Sequence, residues 1–310
     1  MHDFFVDRLV HGGSVRELTK SVDKKAGEGG GGVHGVAQEE VCGGNAVNLA
    51  HALARLGLRV LLVTHSDAAH EGFLRGWFGG LDAELSVKPL PPGLTVAFEG
   101  QVNVMLGDVG GAGRFGPSLL DERDWGDLQN ASLVCAVNWA ANREGTGMIR
   151  ALRERLGPKK PIFFDPADFR DRRREFGAFL REASTERPAS WVSMNEEEAK
   201  AAAALAGLKA DSLPEVCRSL AAKLGVRFDL HGIKESYTSD GTEVFAAACR
   251  EVRPRRLTGA GDAWDAAAIY GRLKRMDEEE RLRFANKAAA MFIGRKELSH
   301  PTAREVSART

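Results

Sequence analysis

Cysteine is scarce in this sequence. Cys42, Cys135, Cys217 and Cys249 are scattered, and no two stand at the C-x-x-C spacing. That pattern argues against a disulfide framework and against a zinc site. Cys135, inside Leu133-Val134-Cys135-Ala136-Val137, reads instead as a small buried apolar residue. No stretch reaches the roughly 18 consecutive apolar residues of a membrane-crossing helix, and no charged-then-apolar leader opens the chain. A cytoplasmic protein without a membrane partner is therefore expected. An excess of one charge is missing too: 43 Lys plus Arg balance 43 Asp plus Glu. Nucleic-acid binders need a positive surplus, so no nucleic-acid partner is expected. The one basic run, at Arg170, Arg172, Arg173 and Arg174, alternates with acids and reads as a solvated helix face. No internal repeat is present.

What is present is enough apolar residue, 43% of 310, for a full-sized core. Ala26-Gly27-Glu28-Gly29-Gly30-Gly31-Gly32 reads as a flexible loop tip that can be neither helix nor central strand. Beyond it, helix and strand signals alternate. Asn45 to Leu56 has apolar residues at helical spacing and stops at Gly57. Short continuous apolar runs at Val60–Val63, Leu133–Val137, Pro161–Phe164, Trp191–Met194 and Val226–Leu230 suit strands buried on both faces. Helical stretches at Asn142–Leu156 and Ser212–Leu224 lie between some of them. The expected fold class is α/β: a doubly wound, mainly parallel sheet with helices on both faces. Residues 33–42 and 94–106 break the rhythm and read as strands, the second a hairpin centred on Glu99-Gly100-Gln101. They predict a small β-lid, discontinuous in sequence (about 8–42 and 92–108), within a single domain spanning 1–310.

Three motifs carry chemistry. In Arg255-Arg256-Leu257-Thr258-Gly259-Ala260-Gly261-Asp262, small residues precede an acid that opens a helix running to about Lys274. Small residues let the backbone approach an anion, and a helix's first N–H groups and dipole favour a phosphate there. Asp262 could then accept the proton of an attacking hydroxyl. An ordinary loop-to-helix junction would look the same. In Cys42-Gly43-Gly44-Asn45-Ala46-Val47-Asn48, two glycines precede a helix whose asparagines could bond sugar hydroxyls. Asn45 as a plain N-cap explains as much. In Ser193-Met194-Asn195-Glu196-Glu197-Glu198, Asn195 and Glu198 have capping-box spacing, and Glu198 could also organise water around Mg²⁺.

Taken together, the order and spacing of the three motifs resemble the PfkB, or ribokinase-like, carbohydrate kinase family from Asp3 to about Lys296. The resemblance implies an ATP- and Mg²⁺-dependent kinase acting on a hydroxyl of a sugar-like small molecule. It implies Asp262 as catalytic base and Gly259, Ala260 and Gly261 as anion hole. Gly43, Gly44, Asn48 and Asp3 would contact substrate, with Asn138 beside them at a strand end. Asn195 and Glu198 would serve the Mg²⁺–phosphate network, Glu198 through water. His231, Gly232 and Asn286 would lie on the adenine side. A homodimer, if one forms, is expected through the lid.

Several residues depart from the family pattern. Arg256 and Leu257 stand where the family usually has an acid and a threonine. That acid often helps hold a monovalent cation, so little dependence on K⁺ is expected here. Glu235 replaces a frequent glycine. Only Met1 and His2 precede Asp3, although the first strand of a doubly wound sheet is usually interior. An apolar strand of roughly 5–10 residues ahead of Asp3 is therefore expected, unless another segment fills the slot or Asp3 lies at a sheet edge. A dinucleotide-binding dehydrogenase fits poorly, because no G-x-G-x-x-G joins a strand to a helix. A nucleotide-binding paralogue acting as sensor or partner subunit is the alternative function.

Overall fold

The computed structural model describes residues 1–11, 15–98 and 104–308. The chain begins with β1 (Phe5–His11), α1 (Val15–Gly27), β2 (Ala37–Gly43), α2 (Asn45–Arg55) and β3 (Val60–Ser66). Then come α3 (Glu71–Trp77), β4 (Ala83–Pro89), β5 (Gly93–Phe98), β6 (Val104–Asp108), α4 (Glu122–Asn130) and β7 (Val134–Val137). A regular alternation follows through α5 (Gly145–Leu156), β8 (Ile162–Asp165), α6 (Arg173–Glu186), β9 (Trp191–Asn195), α7 (Glu196–Leu205), α8 (Leu213–Leu224) and β10 (Arg227–His231). The chain closes with β11 (Glu235–Ser239), β12 (Val244–Ala248), α9 (Ala260–Leu273), α10 (Glu278–Gly294) and α11 (Ala303–Ser307).

Each of the five apolar runs becomes a strand. β7, β8, β9 and β10 pair in parallel, and β11 and β12 extend them antiparallel. Neighbours in sequence such as Phe163 and Phe164 fall into different buried clusters, one on each side of the sheet. Helices cover both faces, which is why these strands show no polar alternation. Among the described residues no helix is long and apolar enough to cross a membrane.

The lid strands form a separate sheet in the order β2-β1-β5-β6. β5 and β6 are the antiparallel hairpin expected over 94–106, and its tip at 99–101 lies outside the described residues. Two details differ from expectation. α1 runs through Ala26 and Gly27, and β2 starts only at Ala37. α1 has no buried residue, although Val15, Leu18 and Val22 stand at helical spacing.

Residues 1–4 sit inside the main sheet, between β3 and β7, and not at an edge. The amino group of Met1 donates to Cys135 O at 2.7 Å, and His2 N donates to Val63 O at 3.0 Å. This brings Asp3 to the top of the sheet beside α2.

A buried ion pair ties the far side together. Arg281 of α10 donates from Nη1 and Nη2 to the two carboxylate oxygens of Asp229 in β10, at 2.6 and 2.9 Å. Both side chains are fully buried. Arg281 Nε also donates to Glu278 Oε2 at 2.9 Å, but that bond leaves Nη1 and Nη2 unmatched once Asp229 is gone. Asp229→Ala is therefore expected to cost about 3 kcal/mol of unfolding free energy, the lower end for a broken buried pair. Urea denaturation measures it, and a loss within the usual ±0.5 kcal/mol of a surface change would show that Glu278 alone satisfies Arg281.

Candidate active site

The C-terminal ends of the parallel strands open into a cleft of about 550 Å³ beneath the lid. Such strand ends are where doubly wound sheets place ligands. At its centre is the first turn of α9. Gly259 precedes the helix at φ 81°, the left-handed region that favours glycine. A regular α-helix offers no internal acceptor to its first N–H groups. Asp262 lies in the same turn and is buried.

Two amides from α2 hold the Asp262 carboxylate. Asn45 Nδ2 donates to its Oδ1 and Asn48 Nδ2 to its Oδ2, both at 2.9 Å. Burial pushes the carboxyl of Asp262 well above its ordinary range, and the charge of Asp165 adds to this, while the two asparagines oppose it. One turn on, Asp265 accepts from Ser193 Oγ at 2.5 Å and is also pushed well up by burial and by Asp165. Asp165, at the end of β8, is raised to about 6 by burial.

The start of α2 is fixed by Asp3. Its Oδ2 accepts from Asn45 N at 2.9 Å and from Asn138 Nδ2 at 2.7 Å, and its Oδ1 accepts from Ala46 N at 2.8 Å. Asp3 is fully buried and acts as the N-terminal cap of α2, and it also lines the cleft. The acid that β1 presents to the cleft is Asp7. It lies hard against Gly43, where a Cβ would come within 1.8 Å of the Asp7 carboxylate. Gly43 is thus needed for the lid strands to close on that acid, while Gly44 lines the cleft.

Asn195 and Glu198 form the expected capping box: Asn195 N donates to Glu198 Oε2 at 2.9 Å, and Glu198 N donates to Asn195 Oδ1 at 3.0 Å. Both also line the cleft. Burial, with the charge of Asp165 next, raises Glu198 to about 8. His231 lines the same end, packed on Trp264 at 5.1 Å between ring centroids, and burial lowers it to about 4. Gly232 makes the turn into β11, its N–H donating to Glu235 O at 3.0 Å.

Some expected residues lie elsewhere. Asn286 is spent inside the fold: Trp264 Nε1 donates to its Oδ1, and its Nδ2 donates to the carbonyls of Ala247 and Ala248. Asn138 lines the cleft, but Trp139 is buried against Phe176, and Asn142 Nδ2 donates to Phe115 O. Arg172 leaves the solvated face expected for its run. It stacks over Trp139 at 4.1 Å and donates to the carbonyls of Trp139, Ala140 and Asn142. Arg256 is buried over the ring of Phe292 at 4.1 Å, and its Nη2 donates to Glu297 O.

Asp7, Asp165, Asp265 and Asn45 as a clamp on Asp262 were not anticipated. Asp165 had a usable signal: an acid that directly ends a buried apolar run, at the strand end where ligands gather. Asp265 had only its helical spacing from Asp262, which any exposed acid shares.

A family model described as pfkB family carbohydrate kinase matches residues 165–304. The 5-dehydro-2-deoxygluconokinase of Bacillus subtilis (strain 168) is 33% identical over 79 residues, 24% of this chain and 24% of that protein. The match thus spans about a quarter of that relative's length. The ribokinase of Thermotoga maritima superposes with a TM-score of 0.75 at 18% identity, covering 98% of this chain and 96% of that one. The adenosine kinase of Sinorhizobium meliloti gives 0.75 at 17% identity, covering 96% and 94%. A putative ribokinase II from E. coli, solved with ATP and Mg²⁺, gives 0.75 at 14% identity, covering 98% and 96%. The fold is that of the ribokinase-like α/β proteins.

The raised carboxyl of Glu198 makes stability depend on pH. The folded chain binds this proton more tightly than the unfolded one. The resulting stabilisation is complete below the ordinary value of 4.5 and is lost as pH rises towards 8. Glu198→Gln keeps a capping-box side chain without the titration. The ligand-free variant is expected to lose less Tm than the parent between pH 5 and about 8, and parallel Tm curves would refute the assignment.

Proposed function

We propose that this protein is an ATP-dependent kinase that transfers the γ-phosphate to a hydroxyl of an uncharged, sugar-like molecule. The observation that carries the reading is the first turn of α9. There a base held by two amides, Asp262, stands in the same turn as the small-residue helix start Gly259-Ala260-Gly261. Each carboxylate oxygen of Asp262 accepts one amide hydrogen and keeps a second lone-pair site. An acceptor hydroxyl can therefore donate to Asp262 while its oxygen faces the helix N-terminus. As that oxygen attacks phosphorus, Asp262 takes its proton. The amides of Gly261 and Asp262 face the negative charge on the transferring group and stabilise it without reorganising.

Asn195 and Glu198 suit the metal–phosphate side. Among the described residues no group of three or more His, Cys, Asp or Glu could hold a metal directly. That fits Mg²⁺ carried on the nucleotide, with Glu198 contacting it through water. The metal would neutralise phosphate charge. His231 is neutral near pH 7 and bounds this end of the cleft.

The opposite end favours an acceptor rich in hydroxyl groups. Asp7 and Asn138 line it, and both offer acceptors to O–H donors. The only lysine or arginine among the described lining residues is Arg172, and its donors are already spent on carbonyls and on Glu175. A carboxylate or phosphate on the acceptor would meet no free cation. This favours a sugar, cyclitol or nucleoside over a sugar acid. Release of ADP across matched neutral and anionic acceptors tests both parts. Turnover of a sugar acid in preference to its neutral counterpart would refute the charge reading alone. ATP binding without ADP release from any acceptor would favour a nucleotide-binding sensor.

Asp262→Asn keeps the shape and removes the proton acceptor. It is expected to lower kcat by about 10²–10⁴ with ATP affinity nearly unchanged. Wild-type turnover in this variant would sink the base assignment. Arg256, buried with a permanent charge one strand of loop before the anion hole, supplies positive charge without an added ion. Initial rates are accordingly expected to be unchanged when K⁺ is replaced by a bulky organic cation at fixed ionic strength, and a many-fold drop would contradict this.

A further inference from the structure

Beside the active cleft lies a second, much smaller cavity of about 30 Å³. Asp7, Asn48 and Thr258 line both spaces, so they form the wall between them. Trp77, Arg256 and His300 line only the small one. Asp7 therefore has two sides, one towards the acceptor end of the cleft and one towards Arg256.

Both side chains are buried, Arg256 with 6% of its surface exposed and Asp7 with 5%. A guanidinium or a carboxylate out of water is costly unless an opposite charge compensates it. Among the described residues that line the cavity, Asp7 is the only acid and Arg256 the only lysine or arginine. His300 adds no charge, because burial pushes its pKa well below the ordinary 6.5. Each of the two charges thus has one opposite charge on these walls.

The guanidinium is fixed where it stands. It lies over the ring of Phe292 at 4.1 Å, and its Nη2 donates to Glu297 O at 2.8 Å. Phe292 in turn stacks on His300 at 4.3 Å between centroids. The space between the walls is narrow, since this volume holds about one or two waters. Trp77 Nε1 and His300 Nε2 are buried on those walls and find no partner in the protein. A single water accepting from Trp77 Nε1 keeps its own O–H groups for Asp7 and His300. The polar walls are thus within reach of one bridging molecule.

We propose that Arg256 is a positioning residue for the acceptor: its guanidinium is the buried counter-ion of Asp7 across this cavity and holds that carboxylate towards the cleft. The pair turns one side of Asp7 inward and leaves the other for acceptor hydroxyls, which rests on the kinase reading above. Arg256 also stands three residues before Gly259. One side chain therefore ties the acid at the acceptor end to the turn that faces phosphate.

A double-mutant cycle tests the pair in two readouts. The first is thermal unfolding of the ligand-free protein. Arg256→Met and Asp7→Asn are each expected to lower Tm by about 5 °C or more, because each strands the other's charge. The double variant is expected to regain most of the summed loss, and additive losses would overturn the proposal. The second readout is ADP release. Arg256→Met is expected to raise the acceptor KM about tenfold with the ATP KM within about twofold, and Arg256→Lys to restore part of the loss. In the Asp7→Asn background the same Arg256→Met change should move the acceptor KM by less than about twofold. An ATP KM that rises as much as the acceptor KM would assign Arg256 to the phosphate turn alone and overturn the proposal. So would a tenfold effect that persists without the Asp7 carboxylate. Absence of ADP release from the parent chain would sink the kinase reading, and the unfolding cycle would still decide the pair.

Discussion

The carboxylate of Asp3 accepts three hydrogen bonds in a site with no solvent access, and the geometry of the cleft depends on it. Two of the donors are the amides that begin α2, and the third is Asn138 at the end of β7. A buried carboxylate is costly unless its lone pairs are filled, so these bonds form as a set or not at all. Once they form, α2 has one possible start and one rotational setting. That setting directs Asn45 and Asn48, three residues apart on one helical face, at Asp262. An acid in the amino-terminal segment therefore positions the carboxylate of Asp262 without touching it.

The same cleft concentrates carboxyl groups to a degree that folding alone would not favour. Asp165, Glu198, Asp262 and Asp265 are all buried, and burial is the first cause of the upward shift in each. Mutual repulsion adds to it. A divalent cation brought in beside them would favour their ionised forms. Concentrating unfavourable charge where a ligand will compensate it is the usual sign of a functional site. It contrasts with the Asp229–Arg281 pair, where the compensation is built into the fold.

Much of this was legible in the sequence, for a physical reason. A strand buried on both faces cannot hide its composition, so the five apolar runs each mark a strand of the main sheet. A helix that packs one face shows its period, as α8 does. α1 carries Val15, Leu18 and Val22 at helical spacing but buries none of them, and it went unread beside the glycine-rich run that follows it. The loop-to-helix turn at Gly259 was legible because small residues precede an acid there. Asp3 and Asp7 were not distinguishable in sequence. Both are acids four positions apart in one apolar stretch and both line the cleft, and only the arrival of α2 makes a cap of Asp3. Asn286 and Arg172 failed for the converse reason: polar side chains bond equally well to the fold's own carbonyls, and sequence does not say which carbonyls are near.

These observations join at the amino-terminal segment. Residues 1–4 carry two constraints at once, because Met1 and His2 stitch β3 to β7 while Asp3, one residue later, starts α2. The two halves of the main sheet meet nowhere else through strand pairing among the described residues. Any slack between β3 and β7 would therefore pass directly to the Asp3 cap, from there to Asn45 and Asn48, and so to Asp262. A carboxylate held by two hydrogen bonds tolerates little of this, since such bonds weaken steeply once their angle falls towards about 120°. The fixed placement of residues 1–4 is thus a condition for the geometry at Asp262.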